Sequence, residues 1–343
     1  MATPNENVEP AAESTTAPGE STTAPGESTT SVDPATARAG YSRRRLIGTG
    51  VAGVGAGAVA GLVGGVVLGR TAPSPEIHPG ANQRFAGKVV LITGATSGIG
   101  RAAALQYAAE GGQVGFCGRR ENLGRDVERQ IRAAGGEATY VRADVRDESQ
   151  VRQFVDTVAE RYGGLDVCFN NAGITVQKPL HEYTANEWDD VLATNLRGVF
   201  LALKFQIPHL RRRGGGAVLV TSSSNAISTS GGKAAYAASK RALVGLVQSA
   251  AHDYAAENIR INALLPGTTK TDFVRRLAGA ADLPDVAWDV MAAQFGKSSV
   301  PGVGRLATAE EVAAFAVALT SGDFPYATGA QMVLDGGKTA YAG

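Results

Sequence analysis

Beyond Lys88 the chain alternates short β-rich apolar runs with longer stretches whose apolar residues recur at helical spacing. The apolar runs are Val89 to Thr93, Gln113 to Cys117, Ala138 to Ala143, Leu165 to Asn170, Ala217 to Ser222, Arg260 to Leu264 and Gln331 to Leu334. Strands this continuously apolar need cover on both faces, and the helical stretches between them can supply it. The pattern therefore predicts an α/β fold, a doubly wound parallel sheet, as a single domain over residues 85–343.

The residues ahead of this pattern divide into three. Residues 1–41 are rich in Ser, Thr, Pro, Ala, Gly and Glu and read ESTTAPG twice, at Glu13 to Gly19 and Glu20 to Gly26. Such a segment buries too little apolar surface to offset chain entropy, which predicts a disordered leader. Residues 42–72 contain Ser42-Arg43-Arg44-Arg45-Leu46-Ile47 and then an uncharged run to Gly69. As a helix that run would reach about 36 Å, enough for a hydrocarbon core of about 30 Å. The SRRRLI segment resembles the twin-arginine export signal, which implies export in the folded state and a secreted or membrane-tethered product. An ordinary membrane anchor flanked by arginines, or a cytoplasmic protein with a misassigned start, fits the same residues. Residues 73–84, with Pro73, Pro75 and Pro79, read as a linker.

Bulk charge narrows the partners. The formal net charge is +1, so no global field points to nucleic acid, and a small molecule is the expected ligand. Cys117 and Cys168 each fall inside an apolar run and read as small buried hydrophobes. The histidines His78, His181, His209 and His252 have no ligand-like spacing, and no metal is expected.

The first strand runs directly into Thr93-Gly94-Ala95-Thr96-Ser97-Gly98-Ile99-Gly100, with a helix expected from Arg101 to Glu110. Glycines let the backbone turn tightly and approach a pyrophosphate, which the free N–H groups and positive end of a helix attract. An ordinary strand-to-helix turn can look the same, but not every such turn joins strand one to helix one. The complete TGxxxGIG pattern resembles the short-chain dehydrogenase/reductase family, and further motifs of that family follow in order. Asp144 and Val145 follow the third strand, where the resemblance implies contact with adenine. Asn170-Asn171-Ala172-Gly173 ends the fourth, where NNAG braces the sheet and lines the cofactor. Pro266-Gly267-Thr268-Thr269-Lys270-Thr271 follows the sixth, where Thr269 and Thr271 match positions holding the nicotinamide carboxamide. Asp144 as a helix cap and NNAG as a turn are the plainer alternatives.

An acidic residue ending the second strand would bond the ribose 2′-OH of NAD and repel a 2′-phosphate. Gly118 stands there, followed by Arg119 and Arg120, whose guanidinium forks match a phosphate. NADP(H) is therefore the preferred cofactor, although Ser97, where NADP enzymes of the family carry a basic residue, keeps NAD(H) open.

Tyr236 and Lys240 lie four apart, on one helical face. That spacing alone is common surface decoration. Ser223 thirteen residues before Tyr236, and Asn195 after strand four, complete the set Asn, Ser, Tyr and Lys of the family. The resemblance implies Tyr236 as acid/base, Lys240 lowering its pKa, Ser223 orienting the substrate oxygen and Asn195 holding a relay water. The expected activity is hydride transfer between a nicotinamide cofactor and a secondary alcohol or ketone; the alternative is a catalytically silent cofactor-binding module. The resemblance also implies a homotetramer. The region from Asp272 to Gly304 is expected to cover the substrate, and its mixture of Phe273, Leu277, Leu283, Trp288, Met291 and Phe295 with charged residues suits a mid-sized, partly apolar substrate.

Overall fold

The computed structural model describes residues 83–340; the leader, the arginine pair and the uncharged run lie outside them. From Val89 the elements alternate as the pattern predicts: β1 Val89–Thr93, α1 Gly98–Ala109, β2 Gln113–Gly118, α2 Glu121–Ala133, β3 Glu137–Arg142, α3 Glu148–Tyr162 and β4 Val167–Asn170. Then come α4 Ala185–Leu192, α5 Gly198–Arg212, β5 Gly216–Thr221, α6 Ala234–Tyr254 and β6 Ile259–Pro266. The chain closes with β7 Thr269–Lys270, α7 Asp272–Leu277, α8 Asp285–Ser299, β8 Ala307–Thr308, α9 Ala309–Thr320 and β9 Gln331–Leu334.

Seven strands form one sheet in the order β3-β2-β1-β4-β5-β6-β9, and all its pairs are parallel. Alternation along β1 feeds two cores. Val89 and Leu91 face the layer of α3, α5 and α6 with Phe154, Leu201, Leu210 and Leu243, while Val90 and Ile92 face α1, α2 and α9 with Tyr107, Ile131 and Val317. Every residue of β1 is buried, which is why the strand reads as an unbroken apolar run rather than an alternating one. The strand order reverses between β1 and β4, where Thr93 stands beside Asn170 at the carboxyl ends, and in doubly wound sheets the crevice at such a reversal is where ligands bind.

Several element boundaries differ from expectation by one to three residues. The helix starts at Gly98, inside the glycine turn, and β4 starts at Val167 rather than Leu165. Leu165 is buried as its pattern implies, but the carboxylate of Asp166 accepts the N–H of Val89 at 2.9 Å and the amine of Lys88 at 3.3 Å, which ties the amino end of the sheet together just before the ladder begins. The chain enters at that same end, where Arg84 pairs with the buried Glu110. Cys117 in β2 and Cys168 in β4 are buried and unbridged, and burial pushes the Cys117 thiol up to about 12.

The segment over the carboxyl edge holds α7 and α8 and has a small core of its own, Ala280, Trp288, Ala292, Val300 and Leu306. It is tied down by the two-stranded β7-β8 pair.

Candidate active site

The glycine turn and the NNAG segment are built against each other. The Thr93 hydroxyl accepts the N–H groups of Asn171 (3.1 Å) and Ala172 (3.2 Å), and Asn171 Nδ2 donates to the Gly94 carbonyl at 3.2 Å. Gly94 has φ +72°, and a Cβ there would lie 2.6 Å from the Ala172 Cα, so only glycine permits this approach. A Cβ on Gly100 would meet the Gly94 carbonyl at 2.4 Å. Asn170 braces the sheet from beneath through a reciprocal pair with Gln206, both bonds 2.9 Å.

This turn fits a pyrophosphate. Ser97 makes no side-chain cap bond to α1 and the first turn contains no acid, so the positive helix end, with Gly98, Ile99 and Gly100, is left for an anion. Thr271 lies over it, its methyl 3.3 Å from a Cβ built on Gly98. The hydroxyls of the PG loop are engaged by backbone: Thr269 donates to the Gly267 carbonyl at 3.2 Å, and Thr271 donates to the Thr269 carbonyl at 3.3 Å while capping α7.

At the end of β2 a side chain on Gly118 would lie 2.6 Å from the Thr96 methyl, so an acid does not fit without displacement. The two arginines part here. Arg120 reaches back to Thr96 Oγ1 (3.0 Å) and Ser97 Oγ (2.5 Å), whereas Arg119 leans toward Asp144 at 3.8 Å. Burial, then the like charge of Arg276 on α7, lowers the Arg120 pKa, while the Asp272 carboxylate raises it.

Asp144 does not cap a helix; Asp147 caps α3. Burial pushes the Asp144 carboxyl up, but the Arg146 bonds at 2.6 to 3.1 Å outweigh it and hold the group below the usual carboxylate range. Val145 beside it is buried.

Tyr236 and Lys240 project from the first turns of α6 toward the end of β5. Lys240 is 3% exposed, and its Nζ lies 5.7 Å from the Tyr236 ring centre and donates to the Thr221 carbonyl at 2.7 Å. With no acid beside it, burial draws its pKa down to about 8. Burial raises the Tyr236 phenol above its usual value, and the nearby Ser223 hydroxyl pulls it back part of the way. Ser223 stands two residues past β5 and starts a short 3₁₀ turn; neighbouring Ser222 is spent on the Lys240 carbonyl at 2.7 Å.

Asn195 is fully buried in a π-helical turn, Ala193–Arg197, joining α4 to α5. Its amide bonds the backbone of Ile174 in both directions (2.8 and 2.9 Å) and donates to Ser239 Oγ at 3.0 Å. It does not touch Lys240. Gly173 lies between them, since a Cβ there would be 3.4 Å from both Asn195 Oδ1 and Lys240 Nζ. Ser239, which passes the contact on to the Tyr236 carbonyl at 2.7 Å, was not singled out by sequence reasoning; its position inside YxxxK was the available signal.

Comparison with known proteins identifies the family to which this fold belongs. Residues 88–281 match the short chain dehydrogenase model. The chain is 38% identical over 260 residues to the levodione reductase of Leifsonia aquatica, covering 75% of this chain and 96% of that protein. It is also 38% identical over 259 residues to the cis-4-hydroxycyclohexanecarboxylate dehydrogenase of Sinomonas cyclohexanicum, covering 75% and 99%. The crystal structure of levodione reductase superposes with a TM-score of 0.69 at 36% identity, over 75% of this chain and 99% of that one. With the parallel sheet, the glycine turn and the Ser-Tyr-Lys cluster in one crevice, the chain belongs to the short-chain dehydrogenase/reductase family of oxidoreductases.

Proposed function

We propose that this chain is an NADP(H)-preferring alcohol dehydrogenase or ketone reductase. The observation that carries the reading is the meeting of the Tyr236 and Ser223 hydroxyls above the buried Lys240 amine at the carboxyl edge of the sheet. A bound nicotinamide would supply the hydride acceptor for oxidation or the hydride donor for reduction. Tyr236 then takes the proton from the alcohol oxygen, or returns it to the carbonyl oxygen, while Ser223 donates a hydrogen bond to that oxygen. Lys240 supplies the positive charge that favours the phenolate. Asn195 and Ser239 hold the start of α6 against the segment after β4. Consumption of NADPH with a panel of ketones, followed by absorbance and compared with Tyr236→Phe, tests the assignment.

The NADP preference rests on Arg119 and Arg120 following Gly118 where an acid would otherwise stand, with Arg120 turned onto the glycine turn. The double variant Arg119→Ala/Arg120→Ala is expected to weaken NADPH binding by more than about tenfold and to leave NADH nearly unchanged, because only the former carries the 2′-phosphate a guanidinium fork reads. Equal losses for both in fluorescence titration would contradict it. For the substrate, the apolar residues of α8 and the cyclohexane ring in the name of one relative both favour a mid-sized cyclic alcohol or ketone. A homotetramer would cover the exposed Phe200 of α5 and Val333 of β9.

The export reading is kept on the same footing. Replacing Arg43 and Arg44 by lysine preserves charge, so a plain anchor should still insert, whereas a receptor that reads the arginine pair should stop exporting the protein. The measurement is protease access to the catalytic domain in a host with the twin-arginine route; unchanged export would favour the anchor.

A further inference from the structure

Two hydrogen bonds converge on the Ser223 hydroxyl from one residue. The Asn225 N–H lies 3.1 Å and its Nδ2 3.2 Å from Ser223 Oγ, while Thr229 Oγ1 donates to Asn225 Oδ1 at 3.3 Å and so turns the amide nitrogen toward the serine. A hydroxyl has one proton and two acceptor lone pairs. With both lone pairs taken by Asn225, the Ser223 proton has one direction left, outward to the side of Tyr236 where a substrate oxygen would sit.

We propose that Asn225 is a positioning residue that makes Ser223 an obligatory donor. The proposal rests on the acid/base reading of the site given above. A freely rotating serine could accept a proton from a substrate hydroxyl as readily as donate one, and in the accepting pose it would oppose the charge that develops on the reacting oxygen. Fixing the donor before substrate arrives removes that pose, and donors aimed in advance at developing charge are worth the most in such sites. The backbone N–H alone leaves one lone pair open, so the side-chain amide is the deciding half of the device. Asn225 lies within the single 3₁₀ turn Ser224–Ala226, and no spacing rule links it to Tyr236; only the fold of that turn brings its amide back onto Ser223.

The test uses three full-length variants, Asn225→Asp, Asn225→Ala and Tyr236→Phe. Aspartate keeps the shape of asparagine but accepts where the amide donates, so it should draw the Ser223 proton away from the substrate. Alanine leaves one lone pair open without reversing the bond. The expected order of kcat for ketone reduction is wild type, then alanine, then aspartate, with aspartate down about 10- to 100-fold, and with KM, NADPH affinity and melting temperature changed little. A residue needed only for the shape of the turn gives the opposite order, aspartate above alanine, and that order overturns the proposal. So does near-wild-type kcat in Asn225→Asp beside an inactive Tyr236→Phe, which leaves the acid/base reading standing. Activity surviving in Tyr236→Phe would overturn both.

Discussion

Tyr236→Phe is expected to lower turnover by at least about a hundredfold while leaving the fold and NADPH affinity intact. The substitution removes one oxygen, and the ring can stay where it packs over Lys240 at 5.7 Å. What disappears is the group that exchanges a proton with the substrate. Because burial raises the Tyr236 pKa in the cofactor-free chain, the resting form is the phenol, already suited to give a proton to a ketone. Oxidation needs the phenolate, so its rate should climb with pH, while reduction should fall over the same range. Steady-state rates in both directions across pH, with circular dichroism and NADPH titration as controls, check this. Turnover within a few-fold of wild type would remove Tyr236 from the mechanism.

Lys240→Met should abolish useful turnover and at the same time stabilise the protein. The amine is buried without a carboxylate, with a pKa drawn down to about 8 against about 10.4 for an unfolded chain. That gap amounts to about 3 kcal/mol of penalty for carrying the charge inside the fold. Methionine fills a similar volume with no charge, and the loss of one bond to the Thr221 carbonyl gives back about 1 kcal/mol. A net gain of about 2 kcal/mol corresponds to a rise of roughly 5 °C in melting temperature for a domain of this size. The folded-state pKa lies below the unfolded one, so the wild-type penalty is complete below the folded value and shrinks as pH rises toward the unfolded value. The stability advantage of the variant should therefore be greatest near neutrality, shrink above about pH 8 and reverse by about pH 10.5, where only the lost bond to the Thr221 carbonyl remains. A lower melting temperature at neutral pH would mean that the amine is paired better than its single acceptor indicates.

The layers of the fold were legible because the buried strands announce themselves: each residue of β1 is apolar or a threonine, and each is covered on both sides. The start of β4 was less so, since Asp166 just ahead of it turns its carboxylate onto a strand far from it in sequence. Motif order marked Ser223, Tyr236 and Lys240, and the fold brings them together. The surroundings were hidden. Whether Ser222 or Ser223 is free depends on a bond to the Lys240 carbonyl, and the partners of Asn195 lie 21 and 44 residues away across a π-helical turn that spacing rules do not anticipate. Arg119 and Arg120 are adjacent in sequence yet point to different partners, because loop side chains follow their neighbours rather than a period.

The entry of the chain at Arg84, pinned by Glu110 at the amino ends of the strands, has a practical consequence. Thr93, Asn170 and Thr221 open the crevice at the other ends, about 15 Å of strand away. A fusion partner, an affinity tag or a solid support joined directly at Gln83 of a shortened chain would thus start from the pole opposite the mouth. An enzyme immobilised through that end would present its crevice to the flow.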